Sequence, residues 1–346
     1  MTKPLLNYEE QTQNYSTWGD KLLQHTDVLY GIQNNKVFRP ITIQLAPTEA
    51  CDSDCVFCSV QNRPVKEKIS FNKIVSILKQ FKYLGAKSIE LTGGGNPLIY
   101  RDGKYKFNDI VQVCVDLEYK IGIITNSENL KRHIDPKFDK DISWIRVSLI
   151  KLDEGKEPED FNFDGFSSDK LAFSYIVYSA NNYKSGTTLE SIKRIEKLVD
   201  MHPQIKFVRI AADCLTDEAQ TIKQEWGDII NRIDKGTGKY FIKELNDNYW
   251  PFKGGCWIGM IRPYIVWNGV YICTSHVLKQ RVYLPEFKLC DHDNILDSWN
   301  KMNEKFARGE SPYDIDINKE CWHCYYKNSN AILNSVIKDM PDKEFA

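Results

Sequence analysis

LAPTEACDSDCVFCSV, residues 45–60, places Cys51, Cys55 and Cys58 in a C-x3-C-x2-C spacing with Phe57 directly before the last of them. Three thiolates packed this closely reach three corners of a 4Fe-4S cube and leave its fourth iron without a protein ligand. A closed zinc site asks for a fourth Cys or His close by, and none follows within the loop. The preceding ITIQLAP (41–47) is a β-rich run that delivers the chain into the loop, where Pro47 and the polar DSD stop regular structure.

Outward from this loop the chain alternates. Ser70 is the expected N-cap of a helix whose Ile74, Ile77, Leu78, Phe81 and Leu84 fall at three- and four-residue steps up to Gly85. Strands are expected over 88–91, 120–125, 144–150, 173–179 and 207–213, and helices over 108–117 and 189–199. The 88–91 strand runs straight into TGGGNP (92–97), and 120–125 into Asn126 and Ser127. With 41–47, six strands each followed by helix or loop argue for an α/β fold with parallel, buried strands, two short of a closed eight-fold barrel. Residues 151–170 are charged and interrupted by Gly and Pro, and read as a long loop at the rim where barrel folds carry function. Residues 1–40 read as a short helical extension packed on the domain, 217–233 as helix, and 234–255 as a linker with one candidate strand.

Beyond the linker the composition shifts to Cys, Trp and Tyr, which marks a second, smaller unit; the expected boundaries are 1–40, 41–245 and 246–346. GCWIGMIRPYIVWNGVYICTSH puts Cys256 ahead of a β-hairpin turning at Asn268-Gly269 and Cys273 on the returning strand. Cys290 lies in the gap that follows. CWHC then supplies Cys321 and Cys324 at a spacing that lets both thiolates reach one metal or cluster.

The 346 residues are 42% hydrophobic, enough for a substantial core, and the net charge is -1 with both signs interleaved. No basic tract advertises nucleic acid or an anionic membrane. The N-terminus lacks an apolar signal region and no run of about 18 apolar residues occurs, so a soluble, cytoplasmic protein is expected. Ten cysteines in a reducing compartment read as metal ligands or free thiols rather than disulfides. Cys114, inside VQVCVDL, reads as a buried helix residue.

Cys51, Cys55, Phe57 and Cys58, followed one β/α unit later by the glycine turn at 93–95, resemble the radical SAM superfamily. The resemblance implies an open, partial (β/α)6 TIM-type barrel and a 4Fe-4S cluster whose open iron chelates S-adenosyl-L-methionine. It further implies reductive cleavage to a 5'-deoxyadenosyl radical that takes a hydrogen atom from a substrate C–H bond. Gly93, Gly94 and Gly95 match the backbone contact to the methionyl amino group, and Asn96 stands where relatives commonly carry an acid. Asn126 ends the third strand and Ser148 matches a fourth-strand hydroxyl that meets the ribose, with a small core residue as its other reading. Phe57 lies against the adenine or packs its own loop.

The C-terminal pattern is similar to a SPASM or twitch extension, which implies an auxiliary 4Fe-4S cluster on Cys256, Cys273, Cys321 and Cys324, with Cys290 as a substitute. A zinc ribbon uses the same four thiolates and stays open, and with it a zinc-binding structural protein. At the end of the sixth strand, Arg209 and Asp213 share one face, either to meet a polar ligand or as a structural ion pair. Cys214 follows as a hydrogen-atom donor or an inert thiol. The implied partners are S-adenosylmethionine, a reductant such as flavodoxin or ferredoxin, and a peptide or small-molecule substrate, with a nucleotide or sugar at an open auxiliary iron as the alternative.

Overall fold

The computed structural model describes residues 19–216, 226, 227, 229, 230, 232–234, 238–242, 255–274, 281–313, 315, 321, 324 and 326–338. Its strands are β1 (Thr42–Leu45), β2 (Ser88–Leu91), β3 (Arg101–Asp102), β4 (Tyr105–Lys106), β5 (Lys120–Thr125), β6 (Ile142–Ser148), β7 (Leu171–Val177), β8 (Val208–Ala212), β9 (Tyr240–Ile242), β10 (Tyr264–Val266), β11 (Gly269–Tyr271) and β12 (Lys288–Cys290). Ten of them form one sheet in the order β12-β11-β10-β1-β2-β5-β6-β7-β8-β9, and β3-β4 is a separate hairpin. The six expected strands, β1, β2, β5, β6, β7 and β8, are consecutive neighbours and parallel throughout. All their C-terminal ends therefore meet at one rim. Among the described residues the sheet is open, with β9 and β12 as its edges.

The helices are α1 (Gly19–Leu23), α2 (Thr26–Asn35), α3 (Phe71–Tyr83), α4 (Phe107–Asp116), α5 (Ile150–Asp153), α6 (Leu189–Met201), α7 (Ile258–Ile261), α8 (Ile295–Ala307) and α9 (Lys327–Ile337). In α3 the apolar stripe Ile74, Ile77, Leu78 and Phe81 is buried, as its spacing requires. Ser70 holds the N-cap position without a side-chain cap; the Asp102 carboxylate of the β3-β4 hairpin instead accepts from the Phe71 amide at 2.9 Å. In α6, Thr188 Oγ1 does accept from the Ser191 amide at 3.1 Å. Cys114 is fully buried in α4.

Several boundaries move for identifiable reasons. β6 starts at Ile142, where it pairs with Ile121, and ends at Ser148 because residues 150–153, expected as strand end and loop, wind into α5. β7 spans Leu171–Val177, and the chain leaves the sheet at Tyr178, whose amide donates to Thr187 Oγ1 at 3.1 Å. Both faces of β7 are buried, so a continuous apolar run hides the period that marks a strand's ends. The C-terminal hairpin is paired Val266 to Gly269, so Trp267 and Asn268 are its loop residues rather than Asn268 and Gly269. Cys273 falls just beyond the end of β11. Most of the 217–233 helix and of the 234–255 linker lies outside the described residues, while β9, the linker's strand, pairs with β8.

Two features position the site. First, β10 runs parallel to β1, with Gln44 opposite Tyr264, so the cysteine-rich segment continues the central sheet. Second, Trp144 on β6 fills the space over Gly122 on the neighbouring β5: a Cβ at 122 would come within 2.3 Å of the indole. Phe38, Trp257 and Phe306 pack together at centroid distances of 4.7–5.7 Å, with Phe38 stacked on Trp257, and α9 packs on α1 and α2. No helix among the described residues is long and apolar enough to cross a membrane.

Candidate active site

A cavity of about 710 Å³ opens at the C-terminal rim of the parallel strands. Cys51, Cys55, Phe57, Cys58, Gly93, Gly94, Gly95, Asn126, Ser148, Arg209, Asp213 and Cys214 all line it. Residues from five strand ends that were singled out separately along the chain thus share one wall.

The cysteine loop is anchored to its neighbours through backbone and side chain. Gly95 and Asn96 amides donate to Thr48 and Ala50 carbonyls at 3.2 and 2.8 Å, which clamps the glycine turn to the loop. Asn126 Nδ2 donates to Ser53 Oγ at 2.6 Å and reaches Cys51 Sγ at 3.8 Å. Lys151 Nζ donates to the Asp52 carbonyl at 2.6 Å and pairs with Glu154 at 3.0 Å. Arg63 reaches Cys58 Sγ at 3.5 Å while donating to the Glu49 carbonyl at 2.8 Å. Arg281, from the C-terminal region, donates to the Cys58 and Val56 carbonyls at 2.8 and 2.6 Å. Lys151, Arg63 and Arg281 carry no local motif, and the fold alone brings them to the loop.

Burial pushes the Cys55 thiol up to about 12, and the neighbouring Cys58 and Cys51 add to it. Burial raises Cys51 as well. Three half-buried thiols on one short loop, with Cys51 and Cys55 raised by burial, suit a cationic iron group, whose charge offsets that penalty. The loop, the cavity volume beside it and the donor set therefore fit a three-cysteine 4Fe-4S cluster. Phe57 packs on Tyr178, centroids 4.9 Å apart, so loop packing holds while its ring still borders the cavity.

Asn96 has a different place. It is buried off the cavity wall, its Nδ2 donates to Asp52 and Ser127, and its Oδ1 accepts from Thr125 and the Leu98 amide, all within 3.2 Å. With both ends engaged, it ties the strand ends together rather than facing a ligand. Behind the turn, burial pushes the Glu49 carboxyl up to about 7, against the pull of Tyr283, which donates to it at 2.6 Å. A Cβ on Gly94 would lie 1.6 Å from that carboxylate and 2.3 Å from the Tyr283 hydroxyl. Gly94→Ala must therefore displace the turn into the cavity. We expect S-adenosylmethionine affinity, measured by equilibrium dialysis, to fall at least ~10-fold, the equivalent of ~1–3 kcal/mol of overpacking.

Asp213 and Arg209 both line the cavity, Arg209 on β8 and Asp213 just past its end. Tyr183 donates to Asp213 Oδ2 at 2.5 Å, burial raises the Asp213 carboxyl, and its nearby cation is Arg281. Arg209 lies deeper, beside Arg146.

The C-terminal cysteines gather elsewhere. Cys256 and Cys273 surround the buried Tyr313, and Cys324 is an electrostatic neighbour of Cys256. Asn330 donates to Cys256 Sγ at 3.7 Å. Cys321 is half-buried against the same apolar core. Cys290 stands apart, among Ser298, Asp291 and Lys288. Among the described residues no three His, Cys, Asp or Glu side chains are arranged around a single metal ion.

Residues 45–155 match the family described as the radical SAM superfamily. GTP 3',8-cyclase of Staphylococcus carnosus is 32% identical over 128 residues, covering 34% of this chain and 37% of that protein. The Staphylococcus aureus enzyme is 31% identical over 129 residues, covering 35% and 37%. The chain thus spans little more than a third of the length of these curated relatives. Streptococcus suis SuiB bound to S-adenosylmethionine shares the fold with a TM-score of 0.54 at 16% identity, over 81% of this chain and 70% of that one. SuiB bound to the precursor peptide SuiA gives 0.51 at 16% identity, over 81% and 69%. The family match begins at Leu45 and encloses the whole cysteine loop and the glycine turn, so the similarity to the radical SAM superfamily falls on the residues that build this wall of the cavity.

Proposed function

We propose that this enzyme modifies a small substrate held in the rim cavity, with S-adenosylmethionine bound between the cysteine loop and the glycine turn. The observation that carries the reading is the single wall formed by Cys51, Cys55, Cys58 and Gly93–Gly95, tied together by backbone hydrogen bonds. The cluster, when bound, supplies an electron to the sulfonium, releasing methionine and a 5'-deoxyadenosyl radical that takes a hydrogen atom from the substrate. The protein's own part is positional. Gly93, Gly94 and Gly95 admit the methionyl end without a Cβ in the way. Phe57, backed by Tyr178, and Ser148 serve the adenosine. Asn126 and Lys151 hold the loop in register with the strands. Cys214 is the thiol on this wall within reach of a substrate radical, with Asp213 and Tyr183 beside it. Flavodoxin or ferredoxin is the proposed reductant.

An auxiliary 4Fe-4S cluster at Cys256, Cys273, Cys321 and Cys324 belongs to the same proposal, supported by Cys256 and Cys273 meeting at Tyr313 and by Cys324 beside Cys256. After anaerobic reconstitution we expect about eight irons per chain, and about four after Ala replacement of any of these four residues. Cys290→Ala should keep the full count. If Cys321→Ala also keeps it, the auxiliary cluster has an open iron, which favours a nucleotide or sugar bound there. GTP 3',8-cyclases, by name, act on such a nucleotide. A colourless protein holding tetrahedral zinc would replace the auxiliary cluster with a structural zinc unit.

A further inference from the structure

The cavity continues from the rim down into the sheet, where its floor is cationic. Arg146 on β6, Arg209 on β8 and Arg262 before β10 line it, opposite Glu90 on β2. Among the described residues the cavity's other charged side chains, Asp54, Arg63 and Asp213, belong to the rim. Glu90 is fully engaged: Arg262 Nη2 lies 2.6 Å from Oε1, and Gln44 Nε2 donates to Oε2 at 2.7 Å. Tyr326 donates to Gln44 Oε1 at 3.1 Å and so fixes that amide's orientation. Among the described residues Glu90 is the one carboxylate at this floor: it pairs closely with Arg262 and reaches Arg146 only at longer range. The Arg146 guanidinium packs 5.8 Å from the Trp144 ring centroid, and its Nε has no hydrogen-bond partner among the described residues. Burial, and then the like charge of Arg209, hold this guanidinium below the usual arginine range, with Glu90 offsetting only part. An unpaired cation deep in a protein costs stability and is kept where something else completes it. A planar guanidinium fork is suited to an oxyanion.

We infer that the substrate carries an anionic oxygen group, a phosphate or a carboxylate, that docks on Arg146 with Arg209 beside it at the cavity floor. This rests on the reading that the substrate occupies the same cavity as S-adenosylmethionine. It places the reacting C–H bond between the anionic group and the rim. Small acids and phosphate esters become the substrate class, and neutral peptides are disfavoured.

Thermal melting of the reconstituted full chain tests it, with inorganic phosphate and succinate as probes and sodium chloride at matched ionic strength as control. A ligand that binds only the folded state raises Tm. Phosphate or succinate should raise Tm in the wild type, with or without saturating S-adenosylmethionine, and the responding probe assigns phosphate or carboxylate. In Arg146→Met the shift should vanish, while the variant alone melts at or above the wild type because an unpaired charge has been removed. No shift with either probe overturns the inference. So does a shift abolished by S-adenosylmethionine, which would give the arginines to that ligand's carboxylate. An Arg146→Met variant that melts well below the wild type or fails to fold does the same, because the cation would then be structural. Melting requires no electron transfer, so failure to form 5'-deoxyadenosine would defeat the proposed radical chemistry without touching this result.

Discussion

Cys55→Ala should reduce 5'-deoxyadenosine formation from S-adenosylmethionine and dithionite to the level of protein-free buffer. Losing even an outer-shell partner of a metal ligand costs ~10–100-fold, and among the described residues Cys55 is one of three thiols on this side of the cavity. Two cysteines cannot hold a cube that already lacks a fourth protein ligand, so the iron count should fall by about four while the C-terminal iron remains. Cys114 does not compensate, being sealed in α4, and Cys214 follows β8, five places from β1 in the sheet order. Unchanged 5'-deoxyadenosine in the variant would remove the radical assignment from residues 51–58.

The largest stability effect is expected at Glu90→Gln. This carboxylate is the counter-charge for Arg262 and, at longer range, for Arg146. Burial opposes its ionisation, yet the two guanidiniums and Gln44 outweigh burial and hold the carboxyl below the ordinary range. Gln keeps the shape and removes the charge, leaving two cations without compensation. Breaking one side of a buried ion pair costs ~3–5 kcal/mol, readable as a lower denaturant midpoint. The sign with pH follows from the depressed folded value. The Glu90 contribution is fully present above the unfolded carboxyl value of 4.5 and is lost as pH falls through the lower folded value. The gap between wild type and variant should therefore be full at pH 7 and close in acid; a gap that persists in acid would mean that packing, not charge, is responsible.

The two experiments address different layers of one site. Cys55 belongs to the rim, where the reagent is made. Glu90 belongs to the floor, where Gln44, Tyr326 and Arg262 connect the barrel strands to the C-terminal segment. An anion at Arg146 would sit between them. Failure of the first leaves a folded protein without radical chemistry, and failure of the second leaves the chemistry and revises the floor.

What could be read from the chain alone was local. C-x3-C-x2-C, the triple glycine and the apolar stripe of α3 each depend on residues a few positions apart, so their chemistry and spacing survive in one dimension. The six parallel strands were legible for the same reason, since alternation of strand and helix implies parallel pairing and a common rim. The ends of β7 were not, because a strand buried on both faces loses its period, and β6 stops early where residues 150–153 wind into α5. Nor was the cap of α3, which comes from Asp102, 31 residues away. Asn96 looked like part of the ligand turn because it adjoins the glycines, and only its four side-chain partners reveal a strut.

The sequence by itself determined the reagent: three thiols and a glycine turn, one β/α unit apart, specify a cluster and its ligand. Tertiary structure alone decided the charge of the floor. Arg146, Arg209, Arg262 and Glu90 come from strands and turns up to 172 residues apart, none with a motif around it. Whether a buried arginine is paired depends on which side chains the sheet register sets opposite it, and register is a property of packing between strands that no single segment encodes.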